Sequence, residues 1–207
     1  VHAAQRKPFT LYPWQEANGT LFLRVGLLSD DLFDPIVREF VSYSEAGMYI
    51  GTQRHKLTRI LGSPRSHTRS GFCSWQALGA EPWQNNLTLE FITPTVFATS
   101  KPGGRSRFTP LPDPSLVFRS LMSSWQAHCP DASRYANDPV HIVEKVEWDV
   151  VVSNLNRVHT RAYPTGRARL TGFVGSVSFR TLSPDIDLRR TINMLARYAF
   201  FAGVGAK

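Results

Sequence analysis

The 207 residues carry 24 lysines and arginines against 16 aspartates and glutamates, a net charge of +8, with a sequence pI near 9.9 and a mean hydropathy of −0.21. That length holds one large domain or two small ones, the 42% apolar share is that of a soluble globular chain, and no tract approaches a membrane span. Cys73 and Cys129 sit in no CxxC spacing, which argues against a disulfide framework and a thiolate zinc site, and with no secretory leader at the start a cytoplasmic location is expected.

The chain opens with a short polar link, Val1 to Thr10, leading into a strand. Leu21 to Leu28, after the Asn18-Gly19 turn, reads as a strand, and Asp31 to Tyr43 has the spacing Leu32, Ile36, Val37, Phe40, Val41 of a helix with Pro35 in its first turn. Met48 to Leu61 reads as a strand carrying Arg54, Lys56 and Arg59. Ser63 to Glu81, rich in Ser, Gly and Pro, reads as a linker. The second half repeats the order. Leu87 to Phe97 alternates as a strand, Lys101 to Asp113 is a Pro and Gly loop with Arg105 and Arg107, and Ser115 to Trp125 is a helix. Val140 to Leu155 and Ala168 to Phe179 give two more strands joined through a turn at Tyr163-Pro164-Thr165-Gly166. The closing helix, Ile186 to Ala202, is expected to be capped by Asp187 and ended by Gly203.

Charge is segregated along this order. Two carboxylate-free runs, Gly51 to Ser70 and Arg157 to Pro184, hold five lysines and arginines each, and clustering of this kind points to a polyanionic partner. Arg161, Arg167 and Arg169 are expected to gather at a hairpin tip, with Arg180 further along the strand. Gly203 and Gly205, beside Lys207, are expected to leave backbone amides open to a phosphate. Each arginine has the alternative of being a plain solvated face, and the five tryptophans are read as core before they are read as base-stacking platforms.

Four segments carry a family resemblance: Thr93-Pro94-Thr95-Val96-Phe97; Pro110-Leu111-Pro112-Asp113-Pro114 with Val117 to Leu121 and Trp125; Gly172-Phe173-Val174-Gly175; and Ala199-Phe200-Phe201-Ala202-Gly203-Val204-Gly205-Ala206-Lys207. In this order they resemble the CRISPR-associated endoribonucleases that cut repeat RNA, the sixth Cas family. The resemblance implies an α+β fold of two tandem ferredoxin-like (RRM-like) modules. Residues 1–80 form the first, without its opening strand and helix, and residues 81–207 form the second, without its last strand, so that the sequence reads as part of a longer protein.

The resemblance also implies an activity: metal-independent cleavage of precursor CRISPR RNA by attack of a 2'-hydroxyl, leaving a 2',3'-cyclic phosphate and a 5'-hydroxyl. Such chemistry needs a proton acceptor, a proton donor and cations for the phosphorane charge, and histidine, with a reference pKa of about 6.5, suits either proton role. His2 falls at the family's catalytic histidine, with Lys7 within reach of the same phosphate; the bland alternatives are an exposed terminal histidine and a solvated lysine. A tyrosine that some members supply from the first helix is not present here, and Tyr12 is either its substitute or strand packing. No metal and no cofactor are expected. The expected partner is CRISPR repeat RNA, with other Cas proteins if the chain serves an interference complex, and no membrane. The rival reading is a non-cleaving subunit that holds CRISPR RNA.

Overall fold

Two compact units, Val1–Ser74 and Trp75–Lys207, make up the computed structural model of the chain, which describes residues 7–80, 82–100, 104, 106–130, 139–165 and 168–205. In the first unit Asn18-Gly19 closes a tight hairpin. Gly19 takes φ 85°, its amide bonds the Glu16 carbonyl at 2.9 Å, and the Asn18 side chain accepts from the Thr20 amide at 2.8 Å. That turn fixes the register of β1 (Phe9–Gln15) against β2 (Leu21–Leu27), so Tyr12 stands opposite Arg24 and Trp14 opposite Phe22. A short 3-10 turn (Asp30–Leu32) leads into α1 (Phe33–Ala46), which keeps Pro35 in its first turn and stops at Gly47, φ 72°. The expected strand from Met48 to Leu61 is instead two short strands, β3 (Met48–Ile50) and β4 (Gln53–His55), folded back on each other at Gly51.

The second unit starts earlier than the expected boundary after residue 80, because the run read as linker contains a helix, α2 (Trp75–Ala80), that packs on the last helix. A polar stripe on α5 (Ile186–Ala202) fastens this segment down. Arg197 donates to the carbonyls of Leu78 and Pro82, Asn193 exchanges hydrogen bonds with both the amide and the carbonyl of Gln84 at 2.9 Å, and the Arg189 guanidinium covers the Trp83 ring at 4.9 Å. Residues spaced four apart share a helix face, which is why one helix reaches the whole segment.

β5 (Asn86–Thr95), β8 (Val150–Thr165) and β9 (Ala168–Thr181) form an antiparallel sheet in the order β5-β9-β8. With α3 (Pro114–His128) after the first strand and α5 after the last, this is the strand-helix-strand-strand-helix part of a ferredoxin-like module. Within the Pro and Gly loop expected at Lys101 to Asp113 lies a strand, β7 (Ser106–Thr109), which pairs back on β6 (Phe97–Ser100) just before the loop. The strand expected from Val140 begins only at Val150; residues before it form α4 (Pro139–Asp149), whose Ile142 and Val146 are buried four apart on one face.

The core lies between this sheet and α3 and α5. Trp125 and Tyr198 meet edge to face at 5.2 Å, Trp75 meets Trp125 at 5.1 Å, Phe118 meets Phe179 at 5.4 Å, and the buried Ser124 hydroxyl bonds the Tyr198 hydroxyl at 3.0 Å. Asp113 caps α3 by accepting from the Leu116 amide at 3.0 Å. The cap of α5 is Asp185 and not the expected Asp187. Its carboxylate takes the Lys145 ammonium of α4 at 2.5 Å, and also the amides of Leu188 and Asp187, which together hold it below the usual carboxylate range. No helix among the described residues is long and apolar enough to cross a membrane.

Candidate nucleic-acid interface

Segments far apart in sequence converge on Thr95, at one end of the second unit's sheet. β5 slips register between Phe91 and Thr95, and the slip lets its backbone lie directly against Gly172 of β9. A Cβ at Gly172 would stand 2.7 Å from the Pro94 carbonyl carbon and the Thr95 nitrogen, a distance no side chain accepts, so only glycine permits the approach. Gly205, φ 96°, comes to the same residue from the other side: a Cβ there would lie 2.9 Å from Thr95 Cγ2 and from the Val96 carbonyl oxygen. Its amide donates to Ser120 Oγ of α3 at 3.2 Å. Phe173 seals the junction from beneath, 4.6 Å from Phe91 and 6.2 Å from Phe97.

Cations border this junction. Arg161 on β8 pairs directly with Gly172, Arg169 on β9 pairs with Pro164, and Arg107 on β7 pairs with Thr99 just beyond Val96; all three are exposed. Arg161 and Arg169 do not form one cluster as expected. Arg169 shares strand parity with the inward Phe173, whereas Arg161 lies opposite Gly172, of the other parity, so the two emerge from opposite faces of the hairpin. Arg180 belongs elsewhere, opposite Asn86 and Val151 at the other end of the sheet, 11 residues from Arg169 and thus roughly 35 Å away along the strand.

The glycines expected to offer amides to a phosphate have internal partners: the Gly203 amide bonds the Ala199 carbonyl at 2.9 Å, and the Gly205 amide bonds Ser120. Their requirement is close packing and, at φ 65° and 96°, backbone conformation. His2, Arg105, Arg167 and Lys207 lie outside the described residues.

In the first unit Lys56 and Arg59 are exposed and Lys7 reaches over the Phe9 ring at 5.9 Å. Arg54 is different. Its Nε and Nη2 both donate to the Ala46 carbonyl, so its guanidinium closes the last turn of α1. A more organised group, which charge runs did not reveal, covers one face of the β1-β2 hairpin. Tyr12 and Trp14 stack at 5.5 Å, Trp14 and Phe22 at 4.8 Å, and His67 tilts against Trp14 and Phe22. Arg69 lies over the Trp14 ring at 5.1 Å and the Tyr12 ring at 5.5 Å and donates to the Tyr12 hydroxyl. Arg24 donates from Nε to the Arg69 carbonyl at 2.8 Å. Its guanidinium is held below its ordinary value first by burial and then by the positive charge of Arg69. The signal was in the Asn18-Gly19 turn, whose register sets Arg24 opposite Tyr12. Trp148, read with the other tryptophans as core, is 81% exposed at the end of α4, while Trp125 is fully enclosed.

The profile of the CRISPR-associated endoribonuclease Cas6 family matches residues 89–207. The chain belongs to the Cas6 family. Among solved structures, a Cas6 product complex is similar with a TM-score of 0.89 and 38% identity, covering 100% of this chain and 80% of that one. Thermus thermophilus Cas6 gives a TM-score of 0.79 and 36% identity, covering 99% and 76%. The curated Cas6 endoribonuclease of Mycobacterium tuberculosis is 25% identical over the whole chain, and the chain spans 62% of that relative's length. The α+β fold of tandem ferredoxin-like modules is that of these Cas6 structures. All four segments on which the resemblance rested lie within the matched residues, and Thr95, Ser120, Gly172 and Gly205 are where they touch.

Proposed function

We propose that this Cas6 protein is an endoribonuclease that binds CRISPR repeat RNA and cuts it without metal, by attack of a 2'-hydroxyl on the adjacent phosphate. The proton leaves the 2'-oxygen, a phosphorane forms, and the 5'-oxygen departs with a proton, leaving a 2',3'-cyclic phosphate and a 5'-hydroxyl. His2 handles a proton in this scheme and Lys7 neutralises the phosphorane. Arg161, Arg169 and Arg107 border one end of the second module and hold the RNA backbone, with Lys56, Arg59 and Arg180 as further phosphate contacts. A-form RNA has a deep, narrow major groove, so such contacts read the shape of a stem and its backbone more than its sequence.

The observation that carries the reading is the junction at Thr95. Two glycines and a serine from separate segments lock β5, β9, α3 and the end of α5 together within a basic border, in a chain 38% identical to a Cas6 solved as a product complex. The test is incubation of the full-length protein with labelled repeat RNA in excess EDTA, followed by analysis of the new 3' end. A cut with a cyclic phosphate is expected, and His2→Ala should abolish it while leaving affinity almost unchanged. A stable uncut complex would transfer the chain to the non-cleaving role in an interference complex; cleavage that stops in EDTA would remove the metal-free mechanism.

A further inference from the structure

We propose that Arg24 and Arg69 form a phosphate site in the first unit, taking one backbone phosphodiester of the RNA. The inference rests on the RNA-binding reading above and goes beyond it, since neither residue falls in a family motif or among the expected contacts.

Geometry carries it. Arg24 stands directly across the hairpin from Tyr12, and Arg69 lies over that same ring with a nitrogen on its hydroxyl, so strand register and ring stacking bring both arginines to one tyrosine. Both are half-buried, which leaves each a solvent-facing side. Arg24 is anchored by its Nε to the Arg69 carbonyl, and the Arg69 amide donates to His67 Nδ1 at 3.0 Å, so the backbone of the 67–69 turn is tied to both side chains. Guanidinium groups already ordered by stacking and hydrogen bonds lose little freedom on binding an anion, and their fork matches phosphate oxygens. Arg69 acts on Arg24 with a charge of the same sign, second to burial in lowering it. Partly desolvated like charges repel, and stacking on Tyr12 and Trp14 offsets that repulsion. A phosphodiester beside the pair would turn the repulsion into two charge-assisted contacts. The surroundings favour it: Gly51 to Ser70 contains no carboxylate.

Arginine-selective dicarbonyl labelling of the wild-type full-length protein, with and without repeat RNA and read by mass spectrometry, tests the site with no variant that has to fold. RNA should protect Arg69 several-fold. Undiminished labelling of Arg69 in an RNA complex proven by co-migration overturns this site and leaves the RNA-binding reading intact; absence of any complex overturns both. In parallel, Arg69→Gln should weaken RNA binding and flatten the slope of log affinity against log salt by about 0.7 to 0.9, one phosphate's worth of released counterions. Arg69→Lys keeps the charge and should keep the slope. A role confined to packing would lower thermal stability in both variants and move neither slope, which also overturns the proposal.

Discussion

In the second unit Trp125, Tyr198, Phe118, Phe173 and Phe179 are sealed between two helices and a sheet, whereas in the first the aromatics lie half-exposed along a hairpin and Leu28 is the only described apolar side chain that is buried. One unit is held by exclusion of water. The other is held by a turn, a helix end closed by Arg54, and rings covered by Arg69 and His67. The difference teaches where substitutions should register: in the second unit as lost stability, in the first as altered grip on an anion, because contacts made of charge and ring faces can be shared with a ligand and contacts within a dry core cannot.

Truncation of the core is the strongest way to break this contrast. Trp125→Ala should lower unfolding free energy by about 3–5 kcal/mol, and Trp14→Ala by only about 1–2 kcal/mol, read from paired denaturant titrations. Equal losses would erase the distinction. Next come the glycines at Thr95. Gly172→Ala and Gly205→Ala each force a Cβ into backbone or Thr95 and should each lose about 1–3 kcal/mol, with the double variant losing less than the sum because both disturb one junction. A strictly additive pair would show that the two approaches are independent.

Smaller still is the α5 cap, where Asp185→Ala should lose about 1 kcal/mol at neutral pH. Its folded carboxylate titrates below its ordinary value, so this stabilisation is complete above the unfolded carboxylate's pKa and disappears as pH falls through the lower, folded one. Melting curves of the two proteins should therefore converge in acid; a gap that persists there would assign the loss to something other than ionisation. Least disturbed is Arg54→Gln, expected to shift stability by under about 1 kcal/mol and to leave the salt slope of RNA binding unchanged. A flatter slope would return Arg54 to the interface.

Much of the architecture was legible because its signals are local. The Asn18-Gly19 hairpin, Pro35 at the start of α1, Gly203 at the end of α5 and the alternation of β5 and β9 each follow from a few neighbouring residues. Val140 to Asp149 misled because a short run rich in Val and Ile suits strand and helix alike until its buried positions are seen four apart. Asp185 and Asp187 are interchangeable as caps on paper, and only the Ser183-Pro184 approach and the Lys145 contact decide between them. The family segments were visible as motifs, but their physical reason was not. Gly172 and Gly205 look like freedom of the chain and are in fact clearance for Thr95, a relation between residues far apart that periodicity cannot express. Arg24 and Arg69 were hidden for a similar reason: counting charges by run separates Arg24 from Gly51 to Ser70, while strand pairing and the return of residue 69 set both at Tyr12.

β8 borders its sheet on one side, and along it the pairing with β9 slips twice, between Val152 and Asn154 and again between Asn156 and His159, where Arg157 adopts φ 54° against Gly175. A long, regular rim of that kind would be a ready template onto which a neighbouring chain could zip. The two irregularities interrupt the repeat of donors and acceptors that such a graft requires. At the second of these kinks Arg157 is exposed, and a charge on an interrupted rim is a poor seed for the stacking of copies into fibrils.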